Sequence, residues 1–111
     1  MAGSVEPREL KQGSEEIVYA LITEENGLDI SGDVFALSHV PDAGKTTQPG
    51  VWEAPDPALA GQGATAAEYR AGKLITGTLI NAVKTRYRVF VKVTDSPEDI
   101  ILDCGTYTVL V

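Results

Sequence analysis

Between residues 86 and 94 the chain alternates in residue type. Tyr87, Val89, Val91 and Val93 fall on one side and Arg86, Arg88, Lys92 and Thr94 on the other, the two-residue period of a β-strand. Such a strand turns one face to a core and the other to water or a partner. Phe90 is the exception, an aromatic ring among the charged positions. The polar run at residues 95–99, with Pro97 inside it, breaks the strand. Apolar residues at 100–102 and 106–111, with Tyr107, Val109 and Val111 on one face, predict a returning strand and hence a C-terminal hairpin.

Earlier in the chain, residues 16–23 read as a strand with apolar side chains on both faces. Asn26-Gly27 follows, a pair that tolerates the positive φ of tight turns and predicts strand, turn, strand. Residues 28–31 form a short extended piece, and residues 34–40 a third strand ended by Pro41. A polar loop at 42–48 leads to a turn at Pro49-Gly50 and a short strand at 51–54, closed by Pro55 and Pro57. Between 58 and 71 the composition shifts to Ala, Gly and Thr. Gly61 and Gly63 break an early helix there, and 64–71 leaves room for one short helix. Residues 73–76 predict a brief strand. Residues 1–12 are mostly polar, with Val5 and Leu10 as anchors around Pro7, and read as an N-terminal arm, with room for a short edge strand, that orders against a neighbour; residues 13–111 are then the domain. The expected core is Tyr19, Leu21, Trp52, Leu74, Tyr87, Val89, Val91, Val93, Tyr107 and Val109.

A chain of 111 residues accommodates one domain with a single core. Its 11 Gly and 6 Pro favour many turns over long helices. A net charge of −7 argues against nucleic-acid binding, which depends on Lys and Arg neutralising phosphates. The charge is divided unevenly: eight acids and two bases lie in the first 33 residues, whereas residues 70–92 carry six bases and no acid. Either a solvated polar surface or a bipolar surface that steers subunit assembly accounts for this division. Cys104, the only cysteine, cannot close an intramolecular disulfide, so the expectation is a fold for a reducing cytoplasm. The start has no basic region followed by an apolar one, and the longest apolar run, 17–22, is too short to span a bilayer. Neither secretion nor membrane insertion is expected.

Gly44-Lys45-Thr46 resembles the end of a phosphate-binding loop, but the glycine that motif needs five positions earlier is His39. His39 and Cys104 are the only residues of their types, which leaves carboxylates to complete any zinc site. Ser38 and His39 are strand neighbours and point to opposite faces, so no hydrolytic triad is defined. Asp95, Glu98, Asp99 and Asp103 could offer oxygens to calcium but lack EF-hand spacing, and acidic solvated turns are common. No catalytic, metal or cofactor residue is assigned. The candidate interface is the stripe Arg86, Arg88, Phe90 and Lys92. It is either an ordinary charged outer face or a contact surface, and Phe90 supports the latter because arginine and aromatic rings are enriched at interfaces.

About seven short strands separated by turns suggest an all-β, immunoglobulin-like sandwich with at most one short helix. In their order, residues 10–13, 26–33, 87–95 and 104–109 resemble small immunoglobulin-like structural modules of tailed bacteriophages. The resemblance implies a non-enzymatic virion structural protein, a capsid decoration, head-tail or baseplate-type component assembled in the host bacterial cytoplasm. It implies many copies in contact with capsid, tail or connector subunits and with each other, and no membrane or nucleic-acid partner. A carbohydrate- or cell-surface-binding module is the alternative, which would call for a cluster of exposed aromatics.

Overall fold

A computed structural model describes residues 1–11, 15–42, 48–75, 85–95 and 98–110. These hold eight strands: β1 (Ala2–Glu6), β2 (Glu9–Lys11), β3 (Glu16–Thr23), β4 (Val34–Pro41), β5 (Ala60–Gln62), β6 (Glu68–Ile75), β7 (Thr85–Asp95) and β8 (Glu98–Leu110). They form two four-stranded sheets, ordered β1-β3-β6-β5 and β2-β8-β7-β4. All neighbours are antiparallel except β2 and β8, which run parallel. No helix occurs among the described residues. The short helix expected at 64–71 is replaced by a turn and the start of β6, because the extended segment from Glu68 pairs with the whole length of β3. Tertiary pairing overrides the helix preference of its alanines.

The core lies between the sheets. Val5, Val18, Ala20, Ile22, Ala71 and Ile75 meet Leu10, Phe35, Leu37, Tyr107, Val109 and the trio Val89, Val91 and Val93 across it. The alternation at 86–94 therefore places its valines as expected, each fully buried and worth roughly 1.5 to 3 kcal/mol of transfer free energy. Tyr87 packs against the core from its margin.

Several expectations are corrected. β3 had two apolar faces to choose from, and it turns Val18, Ala20 and Ile22 inward. Tyr19 and Leu21 consequently lie half-buried on the outside, and Leu74, paired beside Ile17, is 44% exposed. Asn26-Gly27 does form a turn, with Gly27 at φ +75° and its N–H donating to the Glu24 carbonyl at 3.1 Å. It is not a hairpin turn, since β3 and β4 belong to different sheets. Residues 24–30 instead cross between the sheets, held by Glu24 N–H to Ala67 C=O at 2.8 Å and Ile30 N–H to Ala66 C=O at 2.9 Å, with Ile30 buried. Residues 51–54 form no strand beyond a single bridge from Glu53 to Leu37.

The N-terminal segment supplies edge strands. β1 closes one edge of the first sheet and β2 one edge of the second, with the chain changing sheets at Pro7. Val5 and Leu10, the two anchors expected in this mostly polar segment, are both core residues. They tie the segment to its own domain.

β8 shows how one residue sets a face. Arg88 lies opposite Thr106 and Phe90 opposite Asp103, so Val89 faces the two residues Cys104 and Gly105. This is a bulge, and Gly105 takes φ +93° in it, a conformation glycine adopts without a Cβ penalty. The extra residue shifts the alternation of β8. Cys104 turns into the core, and Asp103 comes out beside Arg88.

Candidate functional site

The stripe Arg86, Arg88, Phe90 and Lys92 lies on the outer face of the second sheet, and that face is already occupied. Residues 48–53 run over it as a strap. The Gly50 N–H donates to Ser38 Oγ at 2.9 Å, and the Lys92 ammonium lies 5.0 Å from the centre of the Trp52 ring, an attractive geometry for a cation over an aromatic face. Glu53 then pairs with the edge of β4, exchanging two 2.8 Å backbone hydrogen bonds with Leu37. Phe90 lies opposite Ser38, between the two points at which the strap meets the sheet. It is only 6% exposed, and the expectation of an outward aromatic anchor is corrected. The strap was legible only as a turn and a short strand at 49–54.

Arg88 is similarly committed. Its Nη1 donates to both oxygens of Asp103 at 2.9 and 2.8 Å, and its Nε and Nη2 to Asp42 Oδ2 at 3.3 and 3.1 Å. The paired carboxylates raise the guanidinium pKa further. Asp42, which the sequence placed in a polar loop, is instead the buried centre of this cluster, and Arg86 Nε approaches it at 3.5 Å. Three of the four stripe residues are thus held by internal partners, and the fourth is buried.

Two of the acids near the last hairpin have partners within the protein. Asp103 pairs with Arg88, and Asp99 accepts from the Thr94 hydroxyl at 2.8 Å. Among the described residues no three His, Cys, Asp or Glu side chains are grouped to hold an ion. Gly44-Lys45-Thr46, Ser96 and Pro97 lie outside the described residues. The Cys104 thiol is buried and, by that burial, pushed up to about 12, with the Asp103 charge adding to the effect. A thiol so far from ionisation is a small core side chain rather than a nucleophile.

His39 points between the sheets. Its Nδ1 is 3.2 Å from the Tyr107 hydroxyl, and Tyr107 stacks on Tyr87 with ring centres 5.5 Å apart. Burial, followed by the charge of Lys73, lowers the imidazole to about 4. Lys73 itself bridges to Glu53 at 2.8 Å, linking β6 to the end of the strap. His39 and Ser38 do point to opposite faces of β4, as their adjacency requires.

An apolar band lies on the other sheet. On the outer face of the first sheet, Ile17, Tyr19 and Leu21 lie along β3, with Leu74 beside Ile17 on β6. The Arg70 guanidinium covers Tyr19 at 5.4 Å from the ring centre. Gly72 lets that ring lie close, because a Cβ there would come within 2.9 Å of both Tyr19 Cε1 and Ile17 Cγ2. The apolar character of both faces of residues 16–23 was visible in the sequence; which face turned outward was not. No protein-family model matches this chain, and no curated protein matches its sequence.

Proposed function

We propose that this chain is a non-enzymatic, immunoglobulin-like docking module, a structural protein of a tailed-phage virion that binds in multiple copies to other particle subunits. The observation that carries the docking role is the apolar band Ile17, Tyr19, Leu21 and Leu74 on an outer sheet face. The solvated face of an antiparallel sheet is ordinarily polar, and contiguous apolar surface marks an interaction site. The strand order supports the immunoglobulin-like reading. With β1, β3, β4, β5, β6, β7 and β8 labelled A to G, the sheets become ABED and CFG, with β2 added at the free edge of G. The virion assignment rests on the resemblance of the ordered segments described above.

The test is mass photometry of the pure protein, alone and mixed with shells of candidate tailed phages. A fixed mass increment per shell, lost in Leu74→Asp while that variant keeps its melting temperature, is the expected result. Absence of any increment, or an increment untouched by the substitution, overturns the reading.

A further inference from the structure

β4 and β5 are the last strands of their sheets among the described residues, and a groove of about 470 Å3, lined by residues of both, lies between them. Phe35 and Tyr69 form its floor, stacked with ring centres 3.7 Å apart and planes within 4°. Ala60, Gly61, Pro55 and Pro57 wall it.

The hydrogen-bond phase of both edges can be read from their neighbours. The Gly72 N–H donates to Leu59 C=O and the Gly63 N–H to Glu68 C=O, both at 3.0 Å. In an antiparallel ladder, bonded and non-bonded pairs alternate. Gly61 is therefore bonded to β6, while the N–H and C=O of Ala60 and Gln62 point away from it, along the open edge. On the other side of the groove, Leu37 bonds outward to Glu53, so Phe35, two residues back, also points its backbone groups outward. Continuing that short pairing would set Pro55 opposite Phe35, and proline has no N–H to give. Among the described residues no hydrogen bond takes up the outward groups of Ala60, Gln62 or Phe35.

We infer that this groove is a strand-addition site for an extended peptide segment of another protein, one with apolar side chains at alternate positions. The segment adds to the edge of β5, bonding to Ala60 and Gln62. Residues directly opposite Ala60 and Gln62 share the face of the Ala60 side chain, which packs against the core. Two side chains of the added strand, at i and i+2, thus drop onto Phe35 and Tyr69. Backbone bonds supply attachment and the apolar floor supplies selection, as in other strand-addition sites. The unpaired donors and acceptors call for an extended chain rather than a helix or a small apolar molecule. A second copy of this chain pairing β5 with β5 would bring only the methyl of Ala60 and the amide of Gln62 to an apolar floor, and leaves it unfilled. The groove is separate from the outer apolar band, and this inference stands or falls independently of the virion reading.

The probe is an end-blocked seven-residue peptide alternating threonine and valine, titrated into the isotope-labelled full chain and followed by amide chemical shifts. Shifts centred on Phe35, Ala60 and Gln62 are expected. The same peptide N-methylated at its valines cannot donate to the edge, and Gln62→Pro removes one outward N–H without touching the β6 ladder. Each change should weaken binding by about tenfold or more, with the remaining spectrum of Gln62→Pro unaltered. If Gln62→Pro does not fold, the methylated peptide decides. No binding at millimolar peptide, equal binding of the methylated peptide, or shifts confined to the Tyr19 face overturns the inference. Concentration-dependent shifts of the same amides without peptide would assign the edge to a second copy and overturn it equally.

Discussion

Arg88 reaches Asp42 across the end of β4, placing Nε and Nη2 3.3 and 3.1 Å from a carboxylate whose side chain is only 2% exposed. Removing the closer of its two guanidinium partners leaves a buried carboxylate less well compensated, which costs more than losing a surface pair. Arg88→Ala should therefore destabilise the fold by about 3 kcal/mol. Arg86→Ala, which removes a guanidinium 48% exposed and 3.5 Å from the same carboxylate, should cost under about 1 kcal/mol. Urea unfolding of the two variants checks this, and equal losses would show that Asp42 depends no more on Arg88 than on Arg86. A charge reversal at Arg88 is accordingly a stability experiment, not a clean probe of association.

Phe90→Ala should likewise act on folding. The ring is buried between the strap and the outer face of the second sheet, apart from the main core. Truncating a buried phenylalanine costs about 3 kcal/mol or more, and here it should also loosen residues 48–53, visible as faster amide exchange at Gly50. Unchanged stability would mean the strap closes over the vacated space.

The backbone at Gly105 invites a third measurement. With φ at +93°, Gly105→Ala should cost about 1 to 3 kcal/mol in strain or force the bulge to move, turning Cys104 outward. Gly32→Ala, where an added Cβ meets nothing within 4 Å, is the control and should be nearly neutral. Reactivity of Cys104 toward a thiol reagent distinguishes the two responses, rising only if the bulge shifts.

The long central strand was legible because its valines alternate with charges, leaving one choice of face. β3 was legible as a strand but not as an orientation, since Ile17, Tyr19 and Leu21 compete on even terms with Val18, Ala20 and Ile22. Size misled there: Val18 and Ala20 turned inward with Ile22, while the larger Tyr19 turned outward. Phe90 was read as exposed because alternation assigns a face without saying what covers it, and the covering strap is irregular chain lacking a period. The role of β1 and β2 depended on pairing with residues far along the chain, Val5 opposite Ala20 and Leu10 opposite Val109, which no local pattern records. At Gly105 a single glycine between Cys104 and Thr106 carried the signal for the shift in phase, and in sequence it also reads as an ordinary break.

His39 gives a prediction in pH. Burial, with Lys73 next and Glu53 opposing, lowers its folded-state pKa to about 4 from 6.5. The unfolded chain therefore takes up a proton near pH 6.5 that the folded chain refuses until about pH 4. Stability from this group is complete above the unfolded value, declines as pH falls between the two, and is fully lost below the folded value. The decline amounts to at most about 3 kcal/mol. His39→Gln keeps a polar group facing the Tyr107 hydroxyl but does not titrate. Unfolding of both proteins at pH 7 and at pH 4 should show the wild type losing more stability than the variant, the carboxylates contributing equally to each. Parallel losses would mean that the folded protein admits a charged imidazole beside Tyr107, and that the space between the sheets at this end is open to water.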